Sequence, residues 1–149
     1  MEDERGLARS HQIADNVWRN GRSEEMLLDH ERLDVYLVAL DFVVFANEVV
    51  ERLPRGRSHL ADQLTRASTS IVLNLAEGAG KLSKPDKRRY YITARGSATE
   101  SAALLDICLR LRLLGEAEHR AGKERVVRVV AMLIKLAMSL EEAKPDAGA

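Results

Sequence analysis

Nine cations and only three carboxylates fall between positions 55 and 95, a local net charge of +6. Seven of those cations group at breaks and along one later segment: Arg55, Arg57, Lys81, Lys84, Lys87, Arg88 and Arg95. Grouped cations suit phosphate, and several phosphate contacts give a sequence-independent, salt-sensitive affinity for RNA or DNA. Tyr90 and Tyr91 beside them would add base stacking. The rest of the chain hides this charge. Residues 1–29 and 30–54 each carry net −3 and residues 96–149 net zero, so the total is zero. Partner arguments therefore rest on the basic middle rather than on the total.

Other chemical patterns are weaker. Glu77 to Ser83 reads EGAGKLS, but a phosphate loop needs Gly five residues before its Gly-Lys pair and Ser or Thr after it. Leu75 and Leu82 hold those places, so a helix cap and turn is expected. One Glu-x-x-His match, Glu116 to His119, falls short of the two motifs plus further glutamates of a bundle di-iron site. Cys108 follows Leu104 and Leu105 on an apolar pattern and reads as a buried core thiol. No catalytic residues, metal or cofactor are proposed.

A polar pattern runs beside the apolar one in the middle of the chain. Gln63, Arg66, Ser70, Asn74 and Glu77 recur at helical spacing, as do Arg89, Thr93, Ser97 and Glu100. If the two segments form an antiparallel hairpin, one register pairs Glu77 with Arg89, Asn74 with Thr93, Ser70 with Ser97 and Arg66 with Glu100. A buried polar seam closed by two ion pairs is expected. A wrong register would leave polar groups unmatched, at about 1–3 kcal/mol each.

The elements that would position these groups are helical. Three prolines, Pro54, Pro85 and Pro145, sit at breaks. The first long helix is expected over Asp29–Leu53, with Leu33, Leu37, Leu40 and Val44 as its stripe, widened by Tyr36, Val43 and Val50. Ser58 is the expected N-cap of the second, with Leu60, Leu64, Ala67, Ile71 and Leu75 inward and Gly78 and Gly80 as its left-handed stop. The third opens at Ser83 or Lys84 with Pro85 and runs to Leu114, closed by Gly115, with Leu104, Ile107, Leu111 and Leu114 as its stripe. The fourth spans Lys123–Ala143, with Val126, Val130, Leu133, Ala137 and Leu140 beside a second stripe of Val127, Ile134 and Met138. The fold class is all-α, an antiparallel up-down-up-down four-helix bundle with an N-terminal arm. Residues 1–28 form the arm, with a short helix around Ile13, Val17 and Trp18, residues 29–143 the bundle, and residues 144–149 a disordered tail. Met26 is an alternative translation start.

Composition bounds the setting. A chain of 149 residues, 46% hydrophobic and 31% charged, fits one globular domain. No run of eighteen apolar residues suggests a membrane span. The acidic start MEDERG has the wrong sign for a signal peptide. One cysteine excludes an intrachain disulfide, and a cytoplasmic location is expected. The uncharged far side of the second helix, Thr65, Ser68, Val72, Ala76 and Ala79, and the double stripe of the fourth mark surfaces for self-association.

The central stretch from Gln63 to Ser101 resembles the signature of the four-helix-bundle proteins named after the 23S rRNA intervening sequence. The matching residues are Gln63, Ser70, Ile71, Asn74, Ala76, Glu77, Gly78, Gly80, Ser83, Asp86, Tyr90 or Tyr91, Ala94, Gly96, Ser97 and Glu100. Lys81 and Leu75 depart mildly, standing where the family usually has Arg and often has Ile. The resemblance covers about Leu33 to Leu140 and implies a four-helix bundle, often a homopentameric ring, with no known enzyme activity. A related branch, the accessory variability determinants of diversity-generating retroelements, is a basic pentamer that binds nucleic acid and partners a reverse transcriptase. The expected function is thus a non-enzymatic oligomeric bundle that binds nucleic acid through its basic segment. The alternative is a protein-interaction scaffold, as an accessory factor to a reverse transcriptase or another partner.

Overall fold

A computed structural model describes residues 27–141. The expected short helix of the arm and the expected tail lie outside the described residues. Four helices follow one another: α1 Asp34–Arg52, α2 Ser58–Ala79, α3 Lys84–Arg110 and α4 Glu116–Met138. No strand occurs among the described residues.

The boundaries follow local chemistry, and several differ from expectation. The stretch Asp29–Arg32 is a separate 3-10 turn rather than the first turn of α1. The Glu31 carboxylate accepts the Leu28 N–H at 2.9 Å, and Leu33 is extended, which breaks the helix before Asp34. Pro54 holds Leu53 extended and ends α1. Arg57, not Ser58, occupies the cap position of α2, and no side chain caps that end. At the start of α3, Ser83 Oγ accepts the Asp86 N–H at 3.2 Å and Pro85 sits in the first turn, as the sequence predicts.

Neither glycine at the end of α2 is left-handed. Gly80 has φ −81°. Gly78 is needed for space instead, since a Cβ there would lie 2.7 Å from Tyr90 Cβ and 3.0 Å from Tyr91 Cε1. Helix α3 stops at Arg110 rather than Leu114. The Leu113 N–H reaches Cys108 O at 2.8 Å and the Arg112 N–H reaches Leu109 O at 3.0 Å, a Schellman motif. Arg112 takes its left-handed position at φ 59°. Gly115 then caps α4, which begins seven residues earlier than expected.

Cross-helix contacts fix the antiparallel arrangement. Ser70 meets Ser97, and Tyr90 meets Glu77, in one register between α2 and α3. Asp106 meets His119 while Arg88 meets Glu141 between α3 and α4. Asp41 meets Arg125 while Arg52 meets Glu118 between α1 and α4. With α1 packed on α2, neighbours close into a four-membered ring around one core.

The core face of α2 is the expected one, with Leu60, Leu64, Ala67, Ile71 and Leu75 all buried. That of α1 is the opposite of the expected one. Val35, Ala39, Phe42, Ala46 and Val49 point inward, while Val44 is 55% exposed and Leu33, Leu37, Leu40, Tyr36, Val43 and Val50 are half-buried. The two rows differ by two residues, close to half a helical turn. In α3, Leu104 and the later Leu114 are buried, but Ile107 and Leu111 face outward. The inner row there is Tyr91, Ala94, Ala98, Ser101, Leu105 and Cys108. In α4, Val126, Leu133 and Ala137 are buried and Val127, Ile134 and Met138 are exposed. Gly122 lets α4 approach closely, since a Cβ there would meet Phe45 at 2.6 Å and Leu105 at 2.7 Å.

Candidate nucleic-acid interface

Helix α2 separates the basic groups. Arg55 and Arg57 lie in the loop before it, and Lys81 and Lys84 lie after it, about 33 Å away at 1.5 Å per residue. One subunit therefore offers two cationic ends and not a continuous patch.

The cations differ in how far the fold already uses them. Lys87 Nζ donates to Ala79 O at 2.6 Å, placing an ammonium on the carbonyl end of α2, where the helix dipole favours it. Arg88 binds Glu141 at 3.2 Å and ties the start of α3 to the end of α4. Its Nε is buried without a partner. Lys81 lies 5.2 Å from the Tyr90 ring centroid and 3.9 Å from Glu77. Arg55, Lys84 and Arg95 are exposed, Arg57 is half-buried, and among the described residues none of the four has an ion pair. Tyr91 is buried, and burial followed by the Asp29 charge raises its pKa above the ordinary tyrosine value. Tyr90 is half-buried between Lys81 and Arg89, whose guanidinium carbon is 5.4 Å from its ring.

The polar row between α2 and α3 differs from a sealed seam. Its centre joins: the Ser70 and Ser97 hydroxyls are 2.8 Å apart, and Asn74 Nδ2 donates to Ser70 Oγ at 3.0 Å and to Ser70 O at 2.8 Å. Asn74 does not bond Thr93, whose hydroxyl turns back to Arg89 O at 3.0 Å. Neither closing ion pair forms. Arg66 and Glu100 are both exposed and unpaired with each other, and Gln63 is exposed too. Glu77 accepts from Tyr90 Oη at 3.3 Å, while Arg89 lies 3.7 Å from Asp86 on its own helix. Exposed ion pairs contribute roughly 0–1 kcal/mol, too little to hold long side chains across the hairpin.

The groups considered for chemistry are spread out or occupied. Gly78 and Lys81 belong to the end of α2 and the following turn. His119 stands in the first turns of α4 with Glu116, and its Nε2 meets Asp106 Oδ1 at 2.7 Å. Lys123 joins the same carboxylate at 3.2 Å. The His119 hydrogen bond and then Lys123 hold Asp106 below the ordinary carboxylate range. Cys108 is buried and its thiol pKa is raised by desolvation. Among the described residues, no group of three or more His, Cys, Asp or Glu could hold a metal ion, and no helix is long and apolar enough to cross a membrane.

Two functional candidates escaped the sequence reading: Arg110 and Arg112, exposed where α3 turns into α4. They lie outside the basic middle segment, in a stretch whose net charge is zero. Only the antiparallel hairpin brings them to the end that carries Arg55 and Arg57.

Helix order, antiparallel packing and cationic ends define a small four-helix bundle. Residues 31–135 match the sequence profile of the 23S rRNA-intervening sequence protein family, and the chain belongs to that family. Its fold is also similar to the crystal structure of a protein with unknown function from the S23 ribosomal protein family of Bacteroides thetaiotaomicron VPI-5482. That likeness has a TM-score of 0.66 at 20% identity, covering 70% of this chain and 95% of the other. Among curated proteins, none matches the chain.

Proposed function

We propose that this chain is a non-enzymatic bundle that binds the phosphate backbone of RNA or DNA through its cationic ends and works as a homo-oligomer. The observation that carries the binding reading is the set of uncommitted cations. Among the described residues, Arg55, Arg57, Lys84 and Arg95 take part in no ion pair, whereas Arg52 and Arg125 are each held by a carboxylate of another helix and Arg88 by Glu141 just beyond α4. A cation free of internal partners contributes its charge to a ligand without first breaking a contact. Lys87 and Arg88, two of the seven cations singled out from the sequence, serve the fold first.

Assembly is supported by apolar side chains left outside the bundle. Val127 and Met138 are each 62% exposed on α4, and Leu73 is 66% exposed on α2. The far side of α2 is a poorer candidate than the sequence suggests. Ser68 and Ala79 are buried within the chain's own bundle, and Val72 and Ala76 are half-buried. The family resemblance points to a ring of five. The same exposed residues also suit a protein scaffold, the second reading. A gel-shift series with mixed RNA at rising salt tests the first: retention at low salt that disappears as salt rises supports it, and no retention at any salt rejects it.

A further inference from the structure

We infer that the phosphate-binding face is the bundle end built from the α1–α2 and α3–α4 loops, where Arg110 and Arg112 complete a site with Arg55 and Arg57; this rests on the nucleic-acid reading above. Ser70 against Ser97 sets the α2–α3 register. Stepping outward in that register, the first residue of α2, Ser58, comes level with Leu109, one residue short of the end of α3. The start of α2 and the end of α3 are thus flush, and the loop before α2 together with the last residue of α3 and the turn after it brings four arginines to one end. Arg55, Arg110 and Arg112 are exposed and Arg57 is half-buried. Among the described residues, none of the four has a side-chain hydrogen bond or ion pair.

A second observation concerns Arg112 itself. It fills the left-handed position of the Schellman motif with φ 59°, where glycine is the comfortable residue. The motif is built from backbone bonds alone, so the fold gains nothing from the guanidinium. A strained backbone that carries an unused charged side chain is the pattern expected of a ligand-binding position.

The surroundings define the ligand class. Arg52 and Glu118 neutralise each other on the same end, and Glu51 accepts from Asn47. Glu116 lines a shallow groove with Arg112, Leu109 and Leu113, and does not pair with it. Neither loop carries an aromatic side chain, so the loops offer bases no aromatic platform. Guanidinium forks fit phosphate oxygens. The site therefore takes a sugar-phosphate backbone and ignores base sequence.

Fluorescence anisotropy of the full chain with a short mixed-sequence single-stranded RNA, and with a DNA duplex of equal length, tests this. Four phosphate contacts give a slope of log K against log salt of about −2.8 on the RNA and about −3.6 on the duplex. The double variant Arg110→Ala with Arg112→Gly halves both slopes. Arg128→Ala with Lys135→Ala, exposed on α4 away from this end, leaves them unchanged. Arg112→Gly alone relieves the left-handed strain and raises the melting temperature by about 2–4 °C, so weaker binding by that variant cannot come from unfolding. Binding by the unaltered chain that survives the arginine changes, or that is lost with the Arg128 and Lys135 pair, overturns the site while leaving the nucleic-acid reading intact. A fall in melting temperature for Arg112→Gly also overturns it. No binding of either probe by the unaltered chain removes the reading and the site together.

Discussion

Two glycines in this bundle illustrate opposite demands on one residue type. Gly78 sits where a Cβ would press on Tyr90 and Tyr91, while a Cβ at Gly96 would meet nothing within 4 Å. Gly78→Ala is expected to destabilise by about 1–3 kcal/mol through overpacking. Gly96→Ala is expected to stabilise by about 0.5–1 kcal/mol, because it removes unfolded-state freedom from a helix interior. Urea unfolding of both variants checks the pair. The sequence announces glycines but not their reasons: Gly78 reads as a helix stop because the tyrosines it accommodates are on another helix. Position 112 shows the reverse, since nothing in the string LRLLG points to a left-handed arginine rather than a left-handed glycine. The Ser70–Ser97 contact was legible because short side chains at matching spacing on two packed helices meet without a long reach. The flanking charges were not, since an exposed Arg or Glu finds water as readily as a partner.

At the scale of the helix, periodicity gave the period of each stripe and, for α1, the wrong side. Helix α2 was read correctly because its bulky apolar residues lie on one face and its polar row on another. Helix α1 carries Leu33, Leu37, Leu40 and Val44 opposite a true core face whose members include Ala39 and Ala46. Small core residues add little to a hydrophobic pattern, yet they permit close helix approach. The same holds for Ala94, Ala98 and Ser101 on α3. Between α3 and α4, Asp106 with His119 and Lys123 makes a polar clasp. Because its native pKa is depressed, Asp106 stabilises the fold above its unfolded value of about 3.9, and that contribution disappears as pH falls through the lower native value. Asp106→Asn should therefore cost stability near neutral pH, with the gap to the unaltered chain closing as pH drops below about 4. Urea midpoints across that range check it, and a gap independent of pH contradicts it.

For the whole molecule, exposed apolar rows and uncommitted cations lie on different surfaces. Apolar side chains mark the sides of α2 and α4, whereas the cations of the two loops crowd an end. A ring built through the helix sides would repeat that end around its rim, so that a long nucleic acid reaches several copies of the site while a short probe occupies one. Light scattering should give a mass that is a multiple of the 16.6 kDa chain, five-fold by the family resemblance. Val127→Asp with Ile134→Asp should return it to one chain with the helical content unchanged. A single-chain mass for the unaltered protein would leave binding to isolated ends. The bundle was legible from spacing, and the family from the resemblance of Gln63 to Ser101 to its signature. The end that joins Arg55 and Arg57 to Arg110 and Arg112 was not, because it exists only once the hairpin closes.

The most direct measurement is the affinity of the full chain for short mixed-sequence RNA at two salt concentrations. Four guanidinium–phosphate contacts predict a loss of roughly fifty-fold between about 50 and 200 mM salt. An affinity that stays constant across that range, or no binding at the lower salt, would contradict the account.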